Sequence, residues 1–406
     1  MPTSIGQKSP IKHVFYILKE NRTYDQVFGD LAQGNSDPSL VMYGRKITPN
    51  HHALAEEFVL LDNYYCNGVL SADGHAWAME GNATSYFERS FGGWTRSYPF
   101  GDDPLSVSGT GFLWNNLLTH GKSFRNYGEF DYSTPIPGDL SFSKIYRAFT
   151  EGKPFKFKPN IGVASLRPFS NPSSPGWNMN IPDVVRAEAF IKDFTARTEA
   201  GSVPDLSIIY LPQDHTSGLA TGMPKPESHV ADNDLALGRV VEAISHSKVW
   251  GSSAIFVNED DAQDGVDHVD GHRSLCLVVS PFARRGAVIS EFYNQTSALR
   301  TMEAILGIPP MNRMDATANL MDACFQASAD LRPYVAKPNQ VRLDAQNMAP
   351  KALLSSKRKW ARLSNQMDFR CPDSAGDDDL NQVLWAAARP GQKYPMRPKG
   401  RFLDGR

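Results

Sequence analysis

Short apolar runs that alternate with helix-patterned segments are the feature that most limits how this chain can fold. Runs of strand length occupy residues 14–18, 58–61, 206–211, 254–257 and 275–279. Residues 232–247 have the apolar spacing of an amphipathic helix, and residues 183–200 and 296–306 are also predicted to be helical. Strands that alternate with helices predict an α/β fold with a mainly parallel sheet flanked by helices.

Polar side chains follow four of these runs. The pairs, in chain order, are Glu20 with Asn21, Ser71 with His75, Asp214 with His215, and Asp260 with Asp261. In α/β folds, ligands bind at the carboxyl ends of strands, where loops are free to carry polar groups. The adjacent carboxylates of Asp260 and Asp261 repel each other, and a divalent cation relieves that repulsion. The pattern therefore predicts a site for a hard cation.

Each pair also has a simpler structural interpretation. Asp260 and Asp261 could form a solvated acidic loop, because charged residues are mostly exposed. Glu20 and Asn21 could serve as a helix cap or a turn. The recurrence of such groups at four strand ends favours a shared site over four unrelated loops.

Two motifs resemble those of a known family. Residues 20–25, with the sequence Glu-Asn-Arg-Thr-Tyr-Asp, look like the opening motif of the bacterial phosphoesterase family that contains phospholipases C and an acid phosphatase. Asp260-Asp261, followed six residues later by Asp267-His268, resembles the second motif of that family. The family belongs to the alkaline-phosphatase superfamily, and the resemblance spans residues 11–310. It implies an alkaline-phosphatase-like core.

The resemblance also implies roles for individual residues. The implied metal ligands are Glu20, Asn21, Ser71, Asp260 and Asp261. The implied catalytic groups are Ser71 as the nucleophile, His75, which would contact phosphate or protonate the leaving group, His215 and His268. A second metal or a phosphate contact could involve Asp214, His215, His268 and His272. The oxygen-rich ligand set favours Mg²⁺, Mn²⁺ or Ca²⁺ over Zn²⁺, with one or two ions bound.

The expected reaction is metal-dependent hydrolysis of a phosphate ester. Attack by Ser71 would give a phosphoseryl enzyme that water then hydrolyses. The substrate could be a phosphomonoester or a phosphodiester, small or lipid, of the acid phosphatase or phospholipase C type. One alternative is a sulfatase or another transferase on the same fold, although Ser71 lacks the Cys/Ser-x-Pro-x-Arg signal of sulfatases. The other is a non-catalytic binding domain that a metal stabilises.

Composition limits the partners. The net charge is −2, from 42 basic and 44 acidic residues, and no basic stripe accompanies the aromatic residues, so nucleic-acid binding is not expected. No apolar run approaches the length of about 18 residues that a membrane-spanning helix needs. Without a signal-peptide pattern at the start, a cytoplasmic location is expected, or a periplasmic or secreted one if a leader precedes this sequence. Four widely spaced cysteines form no zinc or redox motif.

The predicted domain organisation has one large unit and an extension. Residues 1–335 are expected to form the phosphoesterase domain, in which residues 85–180 are an insertion or cap near the active site. Residues 336–406 are expected to pack on the core or to mediate self-association, which would make a homo-oligomer.

Overall fold

The computed structural model describes residues 7–89 and 104–395, which form a mixed α/β structure around a large sheet. The strands are β1 (His13–Lys19), β2 (Val59–Leu61), β3 (Tyr64–Tyr65), β4 (Phe124–Tyr127), β5 (Thr134–Ile136), β6 (Lys156–Lys158), β7 (Leu206–Tyr210), β8 (Ser253–Glu259), β9 (Cys276–Val279), β10 (Ala287–Ile289) and β11 (Tyr293–Asn294). The helices are α1 (Tyr24–Phe28), α2 (Pro49–Glu57), α3 (Ser71–Glu80), α4 (Ser85–Arg89), α5 (Leu113–Thr119), α6 (Phe142–Thr150), α7 (Asp183–Ala200), α8 (Pro226–Ser245), α9 (Gln295–Leu306), α10 (Arg313–Ala316), α11 (Ser355–Ser364) and α12 (Asp377–Ala388).

Seven strands form the central sheet, in the order β10-β2-β9-β8-β1-β7-β4. Strands β8, β1, β7 and β4 are mutually parallel, and β10 is parallel to β2. Strand β9 runs antiparallel to both of its neighbours. The sheet is thus mostly parallel, and the predicted fold class is confirmed.

The middle strands form because their residues are apolar on both faces of the sheet. All residues of β8 are buried, as are those of β1 after its first position. Helix α7 covers one face, where Phe190 and Phe194 pack edge-on against Phe15 of β1. Such doubly covered strands are typical of parallel sheets, which explains why the apolar runs in the sequence located them.

The predicted helices are present, with one notable difference in length. Helix α7 has the predicted bounds, and α9 begins one residue before its predicted start. Helix α8 begins at Pro226, well before the predicted start at residue 232. Proline is favourable in the first helical turn because its missing N–H has no partner there. The early turns of α8 carry buried polar side chains, among them His229 and Asp232, so no apolar periodicity marked them.

The predicted insertion and the predicted C-terminal extension differ in how they contact the core. Within residues 85–180, β4 is an edge strand of the central sheet, so part of this range belongs to the sheet itself. Residues 90–103 of the range lie outside the described residues. In the C-terminal extension, α12 packs on α8 and α11. The domain boundaries themselves stay a prediction.

Two smaller expectations concern the cysteines and the membrane. Cys66, Cys276 and Cys324 are buried and Cys371 is exposed, and all four are unpaired. Among the helices of the described residues, none is long and apolar enough to cross a membrane. The cellular location stays a prediction.

Candidate active site

The carboxyl ends of two neighbouring strands bring the predicted acidic residues together. Lys19, the last residue of β1, lies in register with Glu259, the last residue of β8. The next residue on each chain is an acid, and the backbone N–H of Asp260 donates to the carbonyl of Lys19 at 2.9 Å. Glu20 and Asp260 therefore lie side by side where the two strands end.

Helix α3 delivers the serine to these acids. The helix begins at Ser71, and the carboxylate of Asp73 accepts from the backbone N–H groups of Val69 at 3.1 Å and Leu70 at 3.0 Å, which fixes its first turn. Gly74 lets the helix approach β8 closely, because a Cβ atom there would lie 2.4 Å from the carbonyl oxygen of Asp260. This approach places Ser71 over the strand ends.

The serine hydroxyl is surrounded by side-chain oxygens. Ser71 Oγ lies 2.9 Å from Glu20 Oε2 and 3.1 Å from Asp261 Oδ2. It also lies 3.2 Å from the Asn21 side-chain amide. All four residues are buried, at most 1 % exposed. The structure thus brings Glu20, Asn21, Ser71 and the Asp260-Asp261 pair into one cluster.

The amide of Asn21 tests whether this cluster fits a cation. When its NH₂ group faces the cluster, the nitrogen lies 2.9 Å from Glu20 Oε2, 3.0 Å from Asp260 Oδ1 and 3.2 Å from Asp261 Oδ2, and its two hydrogens are directed to these acceptors. Rotated by half a turn, the amide oxygen would lie among three carboxylate oxygens, an arrangement that a bound cation would stabilise. Oxygen atoms of this kind are the ligands that Mg²⁺, Mn²⁺ and Ca²⁺ prefer. The residues present therefore fit a hard divalent ion.

The charges of the cluster agree with that fit. Burial raises the pKa of Asp260 well above its usual range, and the neighbouring charge of Glu20 raises it further. Burial and the charge of Asp260 raise the pKa of Asp261 in the same way. Excess negative charge of this kind is relieved either by protons or by a metal ion.

His75 is held between acids on both sides of its ring. Its Nδ1 lies 2.6 Å from Glu129 Oε1, and its Nε2 lies 3.2 Å from Glu20 Oε1 and 3.5 Å from Asp260 Oδ2. Burial alone would lower the pKa of His75, but the charge and hydrogen bond of Glu129 outweigh burial and raise it well above its usual value. His75 is therefore a cation that neutralises part of the acidic cluster.

His215 has a different environment and the opposite shift. Its Nδ1 lies 2.9 Å from the carbonyl oxygen of Thr216, which accepts a hydrogen bond from the ring, so Nε2 is unprotonated in the neutral tautomer. Nε2 is buried and has no hydrogen-bond partner among the described residues. Burial lowers the pKa of His215. A neutral imidazole with an unused lone pair is suited to accept a proton.

Asp214 lies beneath the cluster and not within it. Its Oδ2 lies 2.6 Å from Lys19 Nζ, and its Oδ1 accepts the backbone N–H of Glu20 at 3.0 Å. Lys19 Nζ also lies 2.5 Å from Glu259 Oε1. Asp214 thus holds the backbone of Glu20 in place, and its predicted role as a ligand to a second metal stays a prediction that this contact does not favour.

His268 and His272 belong to a separate part of the surface. His268 Nδ1 lies 2.6 Å from Asp25 Oδ2, in a group that includes Asp267, and Arg273 is paired with both of these acids. His272 is 45 % exposed and pairs with Asp270. Within the described residues, no hydrogen bond joins His268 or His272 to the Ser71 cluster.

Three residues of the site were not predicted from the sequence. Glu129 fixes His75, and the hydroxyl of Tyr210 donates to Glu20 Oε1. Tyr210 is the last residue of β7, so its position at a strand end could have revealed it. Asp373 accepts hydrogen bonds at the start of α3 from a position far along the chain. Only the folded structure brings Glu129 and Asp373 to the site.

A small cavity of about 10 Å³ lies beside the cluster. It is lined by His75, Phe130, Asp131, Tyr132, Trp177, Tyr210 and Pro372. The cavity has room for about one water molecule, so in this conformation it does not admit a substrate.

Comparison with known proteins agrees with the motifs. Residues 31–309, more than half of the chain, match the model of the Phosphoesterase family, which confirms the resemblance found in the sequence. Two curated relatives are each named phospholipase C B, from the Mycobacterium tuberculosis strains CDC 1551 / Oshkosh and ATCC 25618 / H37Rv. Each is 24% identical to this chain over 375 residues, covering 81% of this chain. The chain spans 65% of the length of these relatives.

A solved structure shares the fold. The protein in the alkaline phosphatase superfamily from Vibrio parahaemolyticus aligns with a TM-score of 0.50 and 15% identity. The alignment covers 80% of this chain and 74% of that chain. At this identity the similarity establishes the architecture alone, not the reaction.

Proposed function

Since the chain belongs to the phosphoesterase family, we propose that it is an ester-bond hydrolase that cleaves phosphate esters at the Ser71 cluster. The observation that carries this proposal is the convergence of one serine hydroxyl with an oxygen-rich acidic group. The residues that would hold a divalent cation are Glu20, Asn21, Ser71, Asp260 and Asp261. A bound cation of this kind would stabilise the serine alkoxide and neutralise charge on the phosphoryl oxygens.

Ser71 is proposed as the nucleophile. Its Oγ would attack phosphorus in line with the leaving group, and a phosphoseryl enzyme would form. The bond from phosphorus to the leaving oxygen would break, and that oxygen would take a proton from solvent and leave as the alcohol. The nearest acceptors for the hydroxyl proton are carboxylate oxygens, of which Glu20 Oε2 at 2.9 Å is the closest. The helix start also favours an anion, because the N–H groups of its first turn are not used within the helix.

His215 is proposed to serve the hydrolysis step. Its unprotonated Nε2 would accept a proton from the water that attacks phosphorus. The bond from phosphorus to Ser71 Oγ would then break, and Oγ would regain the proton that Glu20 had accepted. Positioned acids and bases contribute about 10²- to 10⁴-fold to such steps. His75 would act differently from the predicted acid, because Glu129 and Glu20 already engage both of its ring nitrogens. We propose that His75 positions Glu20 and balances its charge.

The substrate class is proposed from the relatives and the site together. The curated relatives are named phospholipases C, so a lipid phosphodiester is one candidate, and a small phosphomonoester is the other. The segment within residues 85–180 and the C-terminal extension both supply residues beside the site, Glu129 from the first and Asp373 from the second. These two segments are therefore proposed to select the substrate.

The test is hydrolysis of p-nitrophenyl phosphate, bis-p-nitrophenyl phosphate and p-nitrophenyl sulfate by chelator-treated protein. Each of Mg²⁺, Mn²⁺, Ca²⁺ and Zn²⁺ is then added singly. We expect metal-restored cleavage of a phosphate ester, lost in Asp261→Asn. Cleavage of the sulfate alone would assign the chain to sulfatase chemistry, and metal binding without any cleavage would support a non-catalytic domain.

A further inference from the structure

Asp373 lies at the start of α3, where it binds the backbone of the proposed nucleophile. Its Oδ1 accepts the N–H of Ser71 at 2.9 Å, and its Oδ2 accepts the N–H of Ala72 at 2.7 Å. The two carboxylate oxygens thus use two successive N–H groups at the positive end of a ten-residue helix.

The carboxylate of Asp373 also lies near the acidic cluster. Asp373 lies close enough to the acidic cluster for its charge to contribute to the raised pKa of Asp261, after burial and the charge of Asp260. The two N–H groups at the start of α3 offset the charge that this fourth acid adds beside Glu20, Asp260 and Asp261. The start of α3 is therefore an anion-binding position.

A second side chain lies beside the segment that carries Asp373, with its ring 6.2 Å from that of Phe369. His215 is 1 % exposed, and the charges of both Glu20 and Asp373 act on its pKa against the larger lowering effect of burial. Its Nε2 has no hydrogen-bond partner among the described residues. A buried imidazole nitrogen without a partner is available to a ligand that displaces this segment.

The segment that carries Asp373 covers the site. The carbonyl of Arg370 accepts from Trp177 Nε1 at 3.0 Å, and the ring of Phe369 lies 6.2 Å from that of His215. Pro372 lines the small cavity beside His75. With this segment in place, the cavity of about 10 Å³ is far too small for a phosphate ester.

We propose that residues 369–373 form an internal plug, in which the Asp373 carboxylate holds the place of the phosphoryl group of the substrate. The inference rests on the proposed function, because it places the phosphoryl group at Ser71. Two oxygens of a phosphoryl group match the two oxygens of the carboxylate as acceptors of the Ser71 and Ala72 N–H groups. Substrate must then displace the plug before Ser71 can react.

Competition with inorganic phosphate tests the plug directly. Asp373 has a φ of 59°, a left-handed conformation that glycine and asparagine adopt readily, so Asp373→Gly and Asp373→Asn preserve the backbone. We expect both variants, loaded with Mg²⁺, to bind inorganic phosphate about tenfold more tightly than the unmodified protein by calorimetry, because a charge-assisted competitor is lost. The matched control is Asp368→Asn, directly before the plug and paired with Arg370 at the surface, which should leave phosphate affinity unchanged.

A measurement on the unmodified protein keeps the test independent of how the variants fold. Phosphate added to the Mg²⁺-loaded protein should speed hydrogen exchange in residues 369–373, because the plug is displaced. Unchanged or weaker phosphate binding in both variants, or exchange that is unchanged or slower, would overturn the plug. Tighter phosphate binding without hydrolysis of any ester would support the plug and reject the proposed reaction. Hydrolysis of an ester without tighter phosphate binding in the variants would support the reaction and reject the plug.

Discussion

Ser71 owes its proposed role to the number of acceptors around one hydroxyl. Its Oγ lies 2.9 Å from Glu20 Oε2 and 3.1 Å from Asp261 Oδ2, so its proton has a carboxylate acceptor on either side. Ser71→Ala should lower kcat/KM for the better phosphate ester by about 10³-fold or more, because it removes the proposed nucleophile.

The control for this variant is a buried serine remote from the acids. Ser280 Oγ donates to the carbonyl of Ser253 at 2.8 Å, and Ser280→Ala should keep full activity. If Ser71→Ala kept full activity while Asp261→Ala lost it, the cation site would stand and the phosphoseryl mechanism would be rejected.

Lys19 is a buried cation that neutralises two acids beneath the Ser71 cluster. Burial would lower its pKa, but the charges of Asp214 and Glu259 outweigh that effect and raise it, so Lys19 is charged. Lys19→Met would leave two buried acids without a counter-charge. The free energy of unfolding should fall by about 3–5 kcal/mol in denaturant titration.

The comparison for Lys19 is a lysine pair near the surface. Lys122 lies 3.4 Å from Asp205, with both side chains partly exposed, and Lys122→Met should cost less than about 1 kcal/mol. An equal loss in the free energy of unfolding for the two variants would show that the buried network contributes no more to stability than a surface ion pair.

Among the secondary-structure elements, helix α3 has an acidic residue near each end, and the two residues affect stability differently. Asp73 supports its first turn, whereas Glu80 ends it in a buried position where burial raises its pKa to about 8. Between its usual pKa of 4.5 and about 8, folded Glu80 keeps a proton that the unfolded chain has released. The folded state then binds more protons, so stability falls as the pH rises through this window.

Glu80→Gln removes this ionisation. From pH 6 to pH 9, the free energy of unfolding of the unmodified protein should therefore fall by about 2 kcal/mol more than that of Glu80→Gln. Denaturant titrations at the two pH values measure the difference. Glu151→Gln is the control, since the hydrogen bond from Lys153 lowers the pKa of exposed Glu151 and keeps it ionised throughout this range. If the free energy of unfolding depended on pH in the same way for Glu80→Gln and the unmodified protein, the raised pKa of Glu80 would be contradicted.

The sequence predicted those elements whose pattern is local. The central strands read as apolar runs because both of their faces are covered, and the acids directly after them needed no further information. The start of α8 was missed because buried polar residues such as His229 occupy its first turns. Glu129 and Asp373 could not be predicted, because they lie 54 and 302 positions from the residues they contact, and tertiary packing alone brings them there.

At the scale of the whole molecule, the C-terminal extension is joined to the core through a small apolar cluster of its own. Leu380, Leu384 and Trp385 of α12 pack with Tyr43 and Val230 from the main part of the chain. Asn381 adds a hydrogen bond to the carbonyl of Gln263, just beyond the acidic pair, at 2.8 Å. These contacts predict that the extension unfolds together with the core and not as a separate unit.

Leu384→Ala tests this coupling. Leu384 is fully buried, so its truncation should lower the free energy of unfolding by about 2–5 kcal/mol within a single transition, because a cavity forms where α12 meets the core. The same change at Leu354, which is 77 % exposed, should alter stability by less than about 0.5 kcal/mol. Denaturant unfolding followed by both far-ultraviolet circular dichroism and tryptophan fluorescence measures the two variants. If Leu384→Ala split the transition in two and left the later one at its original midpoint, the extension would be an independent domain, and Asp373 would be carried to Ser71 by a separately folded part of the chain.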